Sequence, residues 1–316
     1  MYRKCILSRI LPFLFFSAFL VCSLDLVVPA FAQQRAPGDP ATATLPKKVS
    51  KASGARWLPP DVDSAVPPVE QGFPCDLGLV LHEAGGRIRE FVDNAPRFTA
   101  TESLVHQTVN KTGAVAKTEH RKYDYIVSFQ ESAGRYNVEE FLGGGSAMDY
   151  PGGIVTRGLP ALLLIFHPSY SGDFSMTCEG LGNLDGKKVW QVYFRQRSDR
   201  PNRVLSYKVG WDAPSHRVDL KGRAWFLADN YQLSRLEADS MHPLPEIQLT
   251  SDHVVVEYAP VHFTSAQLDM WLPRCAEVYS DRKGKRIHRR LSFSNYFLFR
   301  VDDDQAISTP TIVHEF

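Results

Sequence analysis

Residues 174–197 read FSMTCEGLGNLDGKKVWQVYFRQR, two runs rich in aromatic and β-branched residues that meet at Asp185-Gly186. Asp-Gly suits the two-residue type I′ turn, whose twist matches that of paired strands. Phe174 to Leu181 and Lys187 to Arg197 are therefore expected to form an antiparallel hairpin. The same reading continues toward the C-terminus. Arg217 to Ala228 and Tyr231 to Ala238 flank Asp229-Asn230, and Leu249 to Tyr258 follows. Gln267 to Ser280 and Arg286 to Val301 are joined through Arg282-Lys283-Gly284.

Toward the N-terminus, Pro160-Ala161-Leu162-Leu163-Leu164-Ile165-Phe166 is an unbroken apolar run with Pro168 beyond it. Pro160 suits a first helical position, which favours a short buried helix; a buried strand is the alternative, because periodicity does not separate the two at this length. Upstream of the Gly-rich stretch Gly143 to Gly145, the runs Phe98 to Val109, Lys122 to Gln130 and Arg135 to Leu142 read as a meander. From Asp76 to Asp93, Leu77, Val80, Leu81, Ala84, Ile88, Phe91 and Val92 recur at three- and four-residue spacings, as in an amphipathic helix. Gly85 and Gly86 lower its intrinsic helicity by roughly 1 kcal/mol each and mark close packing against a neighbour. Helix, meander, short helix and a long strand series predict an α+β fold with a large curved antiparallel sheet, its concave face covered by two or so helices. The absence of alternating βαβ units argues against a doubly wound fold.

The chain has 316 residues, 36 Lys+Arg against 35 Asp+Glu, and 44% hydrophobic residues, which excludes a disordered, collagenous or polytopic membrane protein. The near-zero net charge gives no reason to expect nucleic acid as a partner. Arg3, Lys4 and Arg9 precede an uncharged stretch from Ile10 to Leu24, and Ala30-Phe31-Ala32 supplies small residues before a cleavage point. Residues 1–32 therefore read as an export signal cleaved near Ala32, placing the mature protein in the periplasm or outside the cell. An uncleaved anchor is the competing reading, although the uncharged run is shorter than the roughly 20 residues of a spanning helix. Residues 33–72 hold seven prolines and a single aromatic, Trp57, and read as a disordered Pro-rich leader. A single α+β domain is expected over 73–304, with a flexible tail over 305–316.

Beyond the signal the cysteines are Cys75, Cys178 and Cys275, which in an oxidising compartment allow one bridge in three possible pairings. Cys75 with Cys178 is the favoured pairing, because it would pin the first helix onto the sheet. Three buried, unpaired cysteines are the alternative.

Chemical motifs are sparse. Glu179 to Lys187 resembles a phosphate loop only superficially, since the spacing is wrong and Lys188 follows where Ser or Thr should stand. His82-Glu83 lacks the second His of a zinc-protease helix, and no Gly-x-Ser-x-Gly occurs. His242, His253, His262 and His288 match no standard ligand spacing, and Asp302-Asp303-Asp304 lacks the rest of a calcium loop. No catalytic residue, metal site or cofactor is therefore assigned. The dense charge feature is the basic hairpin, with Arg282, Lys283, Lys285 and Arg286 as a candidate patch for anionic headgroups or a protein partner and Arg289 and Arg290 beside it. A charged edge that discourages strand aggregation is the plainer reading. Arg195, Arg197, Arg200 and Arg203 form a second basic stretch.

The segments Thr177 to Gly182, Val189 to Pro201, Leu220 to Trp225, Leu244-Pro245-Glu246-Ile247 and Trp271-Leu272-Pro273 resemble a group of uncharacterised exported proteins of acidobacterial type. Gly222 to Glu237, in which a Gly-led strand reaches an Asp turn and returns through Arg235-Leu236-Glu237, resembles the periplasmic lipoprotein-carrier superfamily of LolA and LolB type. That resemblance implies a curved half-barrel covered by helices, with acyl chains held inside it. The leading expectation is thus a non-catalytic exported protein binding an acyl chain or lipoprotein, with Trp190, Phe194, Trp225 and Phe226 as aromatics that either line a cavity or pack a core. The alternatives are an envelope-acting hydrolase, with Glu139, Glu140, Asp173 or Glu179 as acids, and a protein-interaction module using the basic hairpin.

Overall fold

The computed structural model describes residues 61–143, 150–151, 158–208, 214–263 and 268–299. Residues 1–32, the cleavage point, Gly144, Gly145 and Asp302 to Asp304 lie outside the described residues. The elements, in order, are α1 (Leu77–Asn94), β1 (Arg97–Val109), β2 (Val115–Ser132), β3 (Arg135–Gly143), a 3-10 helix over Pro160–Phe166, β4 (Phe174–Leu184) and β5 (Lys187–Gln196). They continue with β6 (Ser206–Lys208), β7 (Ser215–Arg217), β8 (Leu220–Leu227), β9 (Leu233–Ser240), β10 (Leu249–Phe263), β11 (Leu268–Arg282) and β12 (Lys285–Phe299). Ten strands form one sheet in the order β3-β2-β1-β12-β11-β10-β9-β8-β5-β4, and each strand pairs antiparallel with its neighbours. The return of β12 to pair with β1 joins the two halves of the chain, a long-range pairing that hairpin signals do not encode.

Local chemistry accounts for the joints. Asp76 accepts a hydrogen bond from the Leu79 backbone N–H at 3.0 Å and caps α1. Asp185 and Gly186 take φ of 52° and 87°, Ala133 and Gly134 take 53° and 75°, and Lys283 and Gly284 take 53° and 67°, the two positive values that a type I′ turn requires. The apolar run is a 3-10 helix with all seven residues buried. The seven residues Pro160–Phe166 are too few for a cooperative α-helix, so tertiary packing sets their form.

The sheet is strongly curled. Nine strand-to-strand steps of about 4.8 Å would hold its edges about 43 Å apart if it were flat. Yet the Tyr170 hydroxyl accepts from the Tyr136 backbone N–H on β3 at 2.6 Å and donates to the Tyr136 carbonyl at 3.0 Å. Tyr170 precedes β4, the opposite edge, by only four residues, at most about 14 Å of extended chain. Both edges therefore converge on the segment that follows the 3-10 helix, giving a half-barrel that stays unclosed.

Inside the curl, Pro160–Phe166 acts as a plug. Phe166 meets Phe194 of β5 and Phe226 of β8 edge-on at 5.6 and 4.9 Å between ring centroids. Beside it, α1 buries Val80, Ala84, Ile88 and Val92, while Phe91 packs on Phe98 of β1 and Phe129 of β2. A Cβ on Gly85 would stand 3.1 Å from the Phe166 carbonyl oxygen, whereas one on Gly86 would meet nothing within 4 Å. The expected close packing is thus real at Gly85 alone. Cys75 and Cys178 are bridged, which fixes the start of α1 to β4. Cys275 lies buried on β11.

The convex face carries a strap. Val62 N–H donates to Asp239 Oδ2 at 2.8 Å, Arg223 Nη1 donates to the Val62 carbonyl at 2.7 Å, and Glu70 N–H donates to the Leu181 carbonyl at 2.7 Å. Residues 61–70, the last part of the expected leader, therefore follow β4, β5 and β8. Gly180, with φ of 136°, lets Val69 approach, since a Cβ there would stand 3.1 Å from Val69 Cβ. Backbone and ionic bonds hold this segment, so its lack of an apolar pattern did not announce it.

Candidate functional site

The concave face is the candidate site, and described side chains fill much of its apolar part. Between α1 and the ends of β9 to β11 lie two adjoining crevices of about 30 and 20 Å³. Arg87, Phe91, Gln232 and Trp271 line both, with Met270 in the first and Ile88, Leu163 and Tyr258 in the second. Each has room for only about one or two water molecules, far below an acyl chain. Between α1 and the sheet, the Tyr258 hydroxyl is buried with no hydrogen-bond partner among the described residues, and burial pushes its ionisation upward.

Toward the other end of the interior the lining turns ionisable. β1 alternates inward through Phe98, Ala100, Glu102, Leu104 and His106, and β12 presents Arg289 opposite His106. Arg289 Nε donates to His106 Nδ1 at 3.1 Å and Nη2 donates to the Pro151 carbonyl at 2.8 Å. Its guanidinium sits 4.8 Å from the Tyr150 ring centroid, and that ring stacks on Tyr123 at 5.4 Å. Burial, then the charge of Glu140, pushes the Glu102 carboxyl up to about 8. Burial, then Arg289, pushes His106 down to about 4. Burial likewise raises Asp252 to about 6, although it accepts a hydrogen bond from the Tyr207 hydroxyl. Near neutral pH these shifts hold Glu102 and His106 uncharged in the same interior as the Arg289 guanidinium. A single Glu, His or Arg in a strand reads as a solvated residue, so the sequence carried no mark of this cluster beyond the alternation that turns Glu102 and His106 inward.

The proposed acids do not converge. Glu139 and Glu140 are successive on β3, so they face opposite sides of the sheet. Glu139 accepts from Gln130 on the neighbouring strand, while Glu140 accepts from the Tyr125 hydroxyl at 2.7 Å and from the Gly158 N–H. Asp173 and Glu179 stand beside and within β4, at the other edge, and Glu179 is clamped by Arg223 Nε and Nη2 at 2.6 and 2.8 Å. Of the four histidines, His253 and His288 flank Tyr279 in one cross-strand row, at 5.8 and 4.2 Å between rings. No group of three metal-ligating side chains occurs among the described residues. Phe194 and Phe226 face the plug, while Trp225 faces the strap side, donating to Gln191 Oε1 at 3.0 Å.

The four basic patch residues occupy the β11–β12 hairpin but in different settings. Arg282 Nε donates to the Ile247 carbonyl at 2.8 Å and Arg286 Nε bonds Asp281 at 3.1 Å, while Lys283 and Lys285 are exposed.

No family model matches the chain, and no curated protein does. Among solved structures it is similar to a DUF1329 family protein from Desulfovibrio piger, with a TM-score of 0.41 and 10% identity over 73% of this chain and 96% of that one. It is similar also to a putative outer membrane lipoprotein-sorting protein domain from Vibrio parahaemolyticus, with a TM-score of 0.39 and 9% identity over 71% and 96% of the two chains. The Mycobacterium tuberculosis lipoprotein LppX aligns with a TM-score of 0.22 and 12% identity, over 72% of this chain and all of that one.

Proposed function

We propose that the chain is an exported, non-catalytic envelope protein that binds an acyl chain or lipoprotein on the concave face of its sheet, in the space that the plug now fills. One observation carries this reading. The apolar concave face is covered by α1, by a wholly buried seven-residue 3-10 segment and, through Tyr207 on Asp252, by the two-stranded β6–β7 pair, and not by a second large sheet. Leu162, Leu163, Leu164 and Ile165 place branched hydrocarbon against the sheet, the kind of surface an acyl chain presents. The Cys75–Cys178 bridge holds α1 to β4 and supports export to an oxidising compartment, which leaves the plug, not tied by that bridge, as the piece that gives way in this reading. Binding then requires the plug to yield, and the apparent affinity is reduced by the fraction of molecules in which it has done so.

The test is native mass spectrometry of the delipidated mature protein after incubation with fatty acids, phospholipids and lipopeptides. A stoichiometric adduct is expected with acyl-bearing ligands. Leu163→Ala, which opens the second crevice at an expected loss of about 2–5 kcal/mol in stability, should bind them more tightly. Failure of both proteins to retain any acyl ligand overturns the reading.

A further inference from the structure

The pairing of β1 with β12 brings two basic hairpins side by side at one end of the half-barrel. Val109 lies opposite Arg286 on β12 and Val115 on β2, so the β1–β2 turn and the β11–β12 turn at Lys283-Gly284 point the same way. Residues 111–122 and 281–290 together contain ten Lys or Arg, of which Arg289 is buried, against two acids, Glu119 and Asp281, whereas the rest of the chain has 26 Lys or Arg against 33 acids. The two acids do not neutralise the surface. Glu119 is shared between Lys117 at 3.1 Å and Arg121 at 3.3 Å, and Asp281 is taken by Arg286. Lys111, Lys122, Lys283, Lys285 and Arg290 are exposed.

The second basic stretch joins this end. The sheet register places Arg195, Lys221, Asp239, His253, Tyr279, His288, Gln107 and Thr118 in one row across eight strands. From that row β5 runs on into Arg197, Arg200 and Arg203 on the same side as the two hairpin turns. Cations separated by some 80 residues of sequence thus share one rim. β2 also projects beyond the core there, with residues 115–122 almost wholly exposed and Val115 presenting an aliphatic side chain that is 52% exposed.

We infer that this rim docks the protein onto an anionic phospholipid surface, with Lys111, Lys122, Lys283, Lys285 and Arg290 as the principal contacts. Lys111, Lys283 and Lys285 sit at or beside the hairpin tips, and Arg290 and Lys122 extend the charge down the adjoining strands, so long flexible stems present the cations without requiring a shaped partner. Each Lys or Arg near such a membrane contributes about a fivefold gain in partitioning, and the attraction decays within a Debye length. The inference does not depend on acyl-chain binding.

The experiment is flotation of the full mature chain with vesicles of phosphatidylglycerol and phosphatidylcholine, or of phosphatidylcholine alone, at low and high salt. Binding is expected only to the anionic vesicles and should be lost at high salt. Lys283→Gln with Lys285→Gln should lower partitioning by roughly 25-fold, about fivefold per charge. Both positions are exposed, and unchanged near-ultraviolet dichroism confirms the fold. Arg89→Gln, on the exposed face of α1, should leave binding unaltered. Equal binding to both vesicle types, no binding at low salt, or an equal loss from Arg89→Gln overturns the inference. So does binding to soluble polyglutamate with the same variant sensitivity as to vesicles, which would make the surface a protein-binding one.

Discussion

Two adjacent glycines in α1 experience opposite environments. At Gly85 a methyl group would press on the Phe166 carbonyl at 3.1 Å and on Pro168 at 3.4 Å, a backbone and a ring that cannot swing aside. At Gly86 it would enter open space. Gly86→Ala is therefore expected to stabilise the protein by roughly 0.5–1 kcal/mol, because alanine restricts the unfolded chain and favours the helix. Gly85→Ala should instead destabilise by about 1–3 kcal/mol, as overpacking forces α1 off the plug. Urea denaturation of the two variants checks both signs. Gly222 is tighter still, since a Cβ there would stand 2.1 Å from the Glu237 carbonyl and 2.3 Å from the Phe194 ring.

At the scale of elements, α1 and β4 are far apart in sequence and joined by one covalent bond. Cys75 and Cys178 stand 103 residues apart, so the bridge restricts a long loop in the unfolded chain. Cys75→Ser with Cys178→Ser should lower stability by about 2–4 kcal/mol. The loss should concentrate on α1, whose amides would exchange faster than those of the central strands β10 to β12, as hydrogen exchange would show. The elements were legible to differing degrees. α1 and the hairpins declare themselves through period and turn chemistry. β2 begins at Val115 and not at Lys122, because its outer half is held by pairing with β1 and lacks the alternating burial that sequence reading detects. The short β6–β7 pair carries no signal of its own and is held through neighbours, with Val218 N–H donating to the Leu205 carbonyl at 3.1 Å.

For the molecule as a whole, the interior charges make stability depend on pH. Glu102, raised from 4.5 to about 8, stays protonated in the folded state while the unfolded chain ionises, so its contribution is lost as pH rises through that interval. Asp252, raised from 3.8 to about 6, acts in the same direction at lower pH. His106, lowered from 6.5 to about 4, acts oppositely, adding stability as pH rises through its own interval. Above about 6.5, Glu102 alone of these three remains, and stability should fall by up to roughly 1.4 kcal/mol per pH unit as far as pH 8. Glu102→Gln should flatten that slope. Denaturant titrations of both proteins at pH 6.5, 7.25 and 8 test it, and parallel slopes would show that Glu102 is not the group responsible.

The amino-acid sequence by itself determined the α+β class, the strand series, the turns and the helix, because period and turn residues act over a few positions of chain. It also presented Cys75 and Cys178 as the favoured bridge, which the structure forms. Only the tertiary structure decided that β12 returns to β1, that residues 61–70 strap the convex face, and that the plug fills the space where a ligand was expected. It alone assembled Glu102, His106, Asp252 and Arg289 in the interior and gathered two distant basic stretches onto one rim. These are consequences of long-range register. A strand's own residues state which faces it has, but its partner is chosen by the energy of burying both faces together, and that sum is taken over the whole chain.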